Sequence, residues 1–200
     1  MNTFTTFTRR TMLAAATATL ALGGMAQADG HQVLEELHFL IPGGAGGGWD
    51  GTARGTGEAL TGAGIVGTAS YENMSGGGGG VAIAHLIENA ESMGNTMMVN
   101  STPIVIRSLT GVFPQSFRDL TLVAGTIGDY AALVVAADSD IADMASLVAA
   151  YEADGSSFAI GGGSVPGGMD HLVAAMAMQA AEQDPTAFSY VAYDAGGAAM

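Results

Sequence analysis

The run Leu37-His-Phe-Leu-Ile41 is short and apolar, and the stretch that follows from it, IPGGAGGGWD (Ile41–Asp50), carries five glycines before Thr52–Leu60 takes up a helical pattern. A short apolar run bounded by Pro and Gly reads as a strand. The same three parts return later in the chain. LHFLIPGGAGGGWDGTARGTGEAL and SSFAIGGGSVPGGMDHLVAAMAMQ are each strand, glycine loop and helix, with Asp50 and Asp170 early in their helices. A strand that feeds a helix through a short loop is the unit of a parallel sheet, so this repeated order limits the chain to an α/β architecture.

The rest of the chain fits the same alternation. Strands are expected at Ile65–Tyr71, with Val66, Thr68 and Ser70 on one face, and at Asn95–Val99, Leu120–Thr126, Ala131–Ala136, Ser157–Ile160 and Phe188–Tyr193. Helices are expected at Val81–Asn89, with Val81, Ala84, Leu86 and Ile87 as its apolar positions, and at Ile104–Leu109, Ile141–Tyr151 and Met169–Ala181. Ser139 or Asp140 would cap the third of these. The two echoing segments define two similar lobes, 29–127 and 128–200, with a hinge near 123–135. Open α/β sheets bind ligands at the carboxyl ends of their strands. Both glycine loops would then border one cleft.

Composition narrows the chemistry. The sequence has no cysteine, which excludes disulfides, thiolate metal sites and cysteine nucleophiles. It has five basic residues, all arginine, against 19 carboxylates. Such a surface repels nucleic acid and anionic lipid, so neither is an expected partner. An anionic ligand would need local donors strong enough to act against that field. The 12 methionines are scattered and read as core filler.

Residues 1–28 have the three parts of an export signal: Arg9-Arg10, an alanine-rich apolar run from Met12 to Leu22, and the small-x-small site Ala26-Gln27-Ala28. The paired arginines fit either a general secretory or a twin-arginine leader. The apolar run is too short to span a bilayer. The mature chain is expected in a periplasm, where Arg54, Arg107 and Arg118 against 19 carboxylates leave a net charge of −16.

A glycine loop at a helix N-terminus offers free N–H groups and about half a positive charge to an anion. Gly46-Gly47-Gly48-Trp49-Asp50-Gly51 matches the dinucleotide fingerprint GxGxxG, and Glu72 lies 21 residues further on. A dinucleotide-dependent oxidoreductase is therefore the alternative reading. Against it stand the export signal and the crowding of Trp49 and Asp50 in the turn. A third reading, an exported hydrolase, lacks a nucleophile elbow, because Pro166 stands where the motif needs glycine after Ser164. His171 beside Asp170 suggests acid–base chemistry, but helix neighbours face apart. His31, His38, His85 and His171 have no metal-ligand spacing. Asp50 either caps its helix or meets a ligand. Arg54 is placed for an i,i+4 ion pair with it, and Trp49 for a cleft wall.

Four segments in order, PGGAGGGWDGTAR, YENMSGGGGGVAIAHL, FAIGGGSVPGGMDHL and VAYDAGGAAM, resemble the extracytoplasmic solute receptors of the tripartite tricarboxylate transporter family, also called Bug receptors. The resemblance runs from about Leu37 to the end. It implies a two-lobe, type II periplasmic-binding-protein-like fold, no catalysis, no cofactor and no metal. It implies a small carboxylate ligand, a di- or tricarboxylate, delivered to a two-subunit membrane permease. By position, the ligand contacts would be Gly43, Gly44, Gly46, Gly47, Gly48, Trp49, Asp50, Ser101 and Thr102 from one lobe and Gly163, Ser164 and Val165 from the other. Asp194-Ala195 stands where the family often has Lys-Gly, which removes a positive charge from the rim. Members of the family continue well beyond this length, so the resemblance also implies truncation at the C-terminus.

Overall fold

The computed structural model describes residues 32–199; the expected leader, 1–28, and His31 lie outside the described residues. Strand β1, Leu34–Ile41, is the middle of a parallel three-stranded sheet, flanked by β2, Val66–Asn73, and β3, Thr96–Met98. A central parallel strand is covered on both faces and so reads as a nearly continuous apolar run. Leu37, Phe39, Leu40 and Ile41 are accordingly fully buried. Helix α1, Gly48–Gly62, crosses from β1 to β2 and adds Ala53 to a core of Leu37, Phe39, Ile41 and Val66. Phe39 stacks on Tyr71 of β2 with ring centroids 5.5 Å apart. Gly57 lets α1 come this close, because a Cβ there would strike the Tyr71 hydroxyl and lie 3.0 Å from the Phe39 ring.

Helix α2, Gly80–Glu88, and helix α3, Thr102–Thr110, follow β2 and β3. Beyond them a second parallel pair forms from β4, Ala159–Gly162, and β5, Ser189–Ala192. Helix α4, Met144–Asp154, and helix α5, Met169–Ala180, cover this pair. The second core holds Leu147, Tyr151, Ala174, Met178 and Phe188. Tyr151 meets Phe158 edge-on and donates its hydroxyl to the Asp184 carbonyl at 2.6 Å. A short helix α6, Gly196–Ala199, ends the described chain.

Element order matches the sequence reading, with corrections. Leu120–Thr126 and Ala131–Ala136 are not strands; the chain from 121 to 136 is irregular and exposed, with Leu122 at 88% and Tyr130 at 96% accessibility. Apolar β-formers give a segment the propensity for a strand, but a strand also needs a ladder partner, and none lies alongside among the described residues. Helix α4 begins later than expected and is capped by Asp143, not by Ser139 or Asp140. The Asp143 carboxylate accepts the Ser146 N–H at 2.8 Å and the Ser146 hydroxyl returns to the Asp143 N–H, a capping box. In α2 the buried positions are Gly80, Ala82 and Ile83, whereas Val81 is exposed. That helix is apolar nearly all round, so periodicity does not choose its face.

The two methionines of α5 provide a test of the second core. Met178 is 0% exposed and Met176 is 66% exposed. Met178→Ala should lower unfolding stability by about 2–5 kcal/mol, and Met176→Ala by less than about 0.5 kcal/mol, as read from urea-melt midpoints of the two variants.

Candidate functional site

The first glycine loop is pinned from below. The Asp50 carboxylate, 5% exposed, accepts the Gly46 N–H at 2.9 Å through Oδ2. Its Oδ1 accepts Arg54 Nε at 3.0 Å and Asn73 Nδ2 at 3.1 Å. Asn73, the last residue of β2, also donates to the Gly43 carbonyl at 3.0 Å. One carboxylate thus ties the loop, the helix and the neighbouring strand together. The hydrogen bond from Arg54, then that from Gly46, with a smaller one from Asn73, outweigh the opposing effect of burial and lower its pKa from an ordinary 3.8 to about 2. Asp50 is therefore ionised and saturated by protein donors. The expected Asp50–Arg54 pair is present.

The second loop repeats the device. The Asp170 carboxylate accepts the Gly163 N–H at 2.7 Å. Ser164 Oγ accepts the Asp170 N–H at 2.9 Å, and the Tyr190 hydroxyl donates to the Ser164 carbonyl at 2.8 Å. Gly167 donates its N–H to His171 Nδ1 at 2.8 Å, so that nitrogen carries no proton in this arrangement. The imidazole stacks on Tyr190 and meets Phe188 edge-on. Asp170, His171 and Ser164 hold the loop's backbone instead of forming a catalytic set.

Both loops border one cleft of about 650 Å³, within the usual range for a small-molecule site. Of the residues expected at a site, Gly43, Gly44, Gly48, Trp49, Ser101, Thr102, Gly163, Ser164 and Val165 line it. Gly46, Gly47 and Asp50 do not; they form the loop's support. Trp49 lies over Gly43 and donates its indole N–H to Ser101 Oγ at 2.9 Å, fixing a wall between α1 and α3. The segment 124–131 and the run Gly76–Gly79 also line it. All four glycines of that run have positive φ, a conformation that side chains disfavour.

Sequence reasoning missed Arg107. It lines the cleft from α3, its guanidinium 5.3 Å over the Phe113 ring. Its Nε is buried without a hydrogen-bond partner, and it makes no ion pair among the described residues. In sequence it is one basic residue in the last turn of a helix, where a cation ordinarily answers the helix dipole. Only the fold brings Gly78 against it, with Val165 on the same glycine.

Helix ends supply the other donors. The N-termini of α1, α2, α3 and α5 all reach the cleft, and their N-cap residues Gly47, Gly79, Ser101 and Gly168 make no side-chain cap. Ser101 is a good capping residue, yet its oxygen faces the Trp49 indole. In α5 one N–H, that of Asp170, is taken by Ser164. Helix α4, away from the cleft, is capped in full. The dinucleotide layout fares poorly. The Gly46 N–H that would face a pyrophosphate is already held by a carboxylate, and Glu72 sits 3.5 Å from His38 instead of at the cleft. No three His, Asp or Glu side chains converge on a metal-sized site among the described residues. No helix among them is long and apolar enough to cross a membrane.

No protein-family model and no curated protein matches the chain. Among solved structures the chain is similar to a TctC solute-binding protein from Polaromonas, crystallised without ligand, at 21% identity and a TM-score of 0.50. The match covers 82% of this chain and 55% of that one, so the chain spans about half the length of the structure it resembles. At that identity the likeness establishes fold: a mixed α/β architecture with parallel sheets, of the periplasmic-binding-protein kind.

Asp50 gives the site a pH signature. A carboxylate with a depressed folded-state pKa stabilises the fold fully above its unfolded value, near 3.8, and loses that contribution as pH falls through about 2. Asp50→Ala should therefore lower stability at neutral pH and flatten the stability-versus-pH curve between about pH 4 and 2. Denaturant melts of both proteins across that window check it; parallel curves would assign Asp50 no special role.

Proposed function

We propose that the chain is an extracytoplasmic solute receptor that closes its cleft on a small organic acid. The observation that carries this is the convergence on one cleft, between two pinned glycine loops, of helix N-termini without side-chain caps and of Arg107, which makes no ion pair among the described residues. Helix N-termini of this kind present backbone N–H groups and a partial positive charge to an anion; α3 offers only the Thr102 N–H, since Pro103 has none and that of Ile104 goes to the Ser101 carbonyl. The guanidinium adds a full charge with donors to spare. The likeness in fold to a solute-binding protein supports the same reading, as does the export signal in residues 1–28.

In this reading 32–127 and 128–199 are the two lobes, and the irregular segment through 123–135, which runs along the cleft, is the hinge. Closure about such a hinge buries the ligand and presents a new surface, which a two-subunit permease in the membrane would recognise. The receptor performs no chemistry; Ser164 and Asp170 of the cleft, and His171 behind them, act as loop supports.

Trp49, the sole tryptophan, stands in the cleft and reports on occupancy. Titration with succinate, citrate and butyrate, each followed by Trp fluorescence, should give saturation with at least one, and NAD should give none. Arg107→Gln removes hydrogen bonds to a charged group, each worth about 1.5–3 kcal/mol, so affinity should fall roughly ten- to a hundredfold. Folded protein that responds to NAD alone, or an Arg107→Gln variant with unchanged affinity, would overturn the reading.

A further inference from the structure

The cleft contains charges of both signs that do not neutralise one another. Arg107 lines one wall beside Gly78, with Val165 on the same glycine: a Cβ built on Gly78 would lie 3.3 Å from Arg107 Nε and 3.1 Å from Val165 Cγ2. Asp194 lines another, beside Gly44 and Ser75. Its Oδ2 accepts the Ser75 hydroxyl at 3.0 Å and would stand 2.7 Å from a Cβ on Gly44. No nitrogen of Arg107 comes within 4.0 Å of an Asp194 oxygen, or of any other described carboxylate. Asp194 Oδ1 has no hydrogen-bond partner among the described residues.

Asp194 is not alone. Asp129 and Asp170 also line the cleft, and Arg107 is its single basic side chain. The Asp170 carboxylate is engaged by the Gly163 N–H, and Asp129 accepts the N–H of Tyr130 with one oxygen. Trp49, Tyr130 and Tyr193 border the same space, and aromatic rings attract an ammonium group that reaches their faces. A ligand with two carboxylates could satisfy Arg107 with one of them. Its other carboxylate would enter a cleft whose remaining charges are all negative, on a chain of net charge −14.

Resting on the receptor reading above, we infer that the ligand is zwitterionic: its carboxylate meets Arg107 and the helix N-termini, and its ammonium group meets Asp194 between aromatic walls. Asp194 is then the residue that sets ligand class. An acid with one carboxylate and one amine is matched in sign at both ends, whereas a dicarboxylate is matched at one end and repelled at the other.

Three four-carbon probes that differ mainly in terminal charge test this: succinate, butyrate and 4-aminobutyrate, each titrated into the full chain by calorimetry and Trp49 fluorescence. 4-Aminobutyrate should bind at least tenfold more tightly than butyrate, and succinate more weakly than either. Asp194→Asn should abolish the advantage of the amine while leaving butyrate within about threefold. Asp194→Lys should reverse the order and favour succinate. Succinate binding as tightly as 4-aminobutyrate, or an amine preference that survives Asp194→Asn, would overturn the charge assignment and leave the receptor reading standing. Folded protein that binds none of the three, nor citrate, would overturn both.

Discussion

The site depends on one kind of contact used twice: a carboxylate early in a helix that accepts a backbone N–H from the glycine loop before it. Asp50 holds Gly46 at 2.9 Å and Asp170 holds Gly163 at 2.7 Å. Glycine loops are entropically costly to order, because glycine has more freedom to lose than any other residue. A charge-assisted hydrogen bond is about twice as strong as a neutral one, and here it closes within the strand–loop–helix unit itself. Burying the Asp50 charge is tolerable only because Arg54, Gly46 and Asn73 satisfy it together. The same feature explains why Asp50 is unavailable to a ligand.

With each loop held from behind, the helix ends in front are left open. A glycine N-cap costs a helix only a few tenths of a kcal/mol relative to a capping side chain, so leaving Gly47, Gly79 and Gly168 without caps is inexpensive. Ser101 shows the same economy in another form, since its oxygen fixes Trp49 instead of its own helix. Helix α4 is an internal control. It has no part in the cleft, and its N-terminus carries a full capping box. Away from the cleft the chain caps its helix with a side chain; around the cleft it does not.

Much of this was legible in the sequence because it is local. The strand–loop–helix repeat, the order of elements and the Asp50–Arg54 pair depend on spacings of a few residues, and periodicity and helix geometry report those directly. Nine of the twelve expected site positions line the cleft for a related reason: in each of the two sheets, loops that follow the parallel strands emerge at one end. What was not legible is set by tertiary neighbours. Arg107 sits on an ordinary helix turn until Gly78 is brought beside it. The apolar run 120–136 has the composition of strands without a ladder to join. Asp50 could have been a cap or a ligand contact, and only the direction of the Gly46 N–H decides.

The strongly acidic surface bears on how an anion site can work at all. At physiological salt the Debye length is about 8 Å, so distant carboxylates are largely screened once a ligand is inside the cleft. They act instead on approach, where a field of one sign slows the arrival of a like-charged solute. In the receptor reading proposed above, affinity would come mainly from slow release, through donors made dry and close by closure of the cleft. In that reading the energetic weight falls on Arg107, the open helix ends and the two pinned loops. It also favours a ligand whose own charges sum to zero, because such a molecule crosses the outer field unopposed and still presents a carboxylate once it is inside.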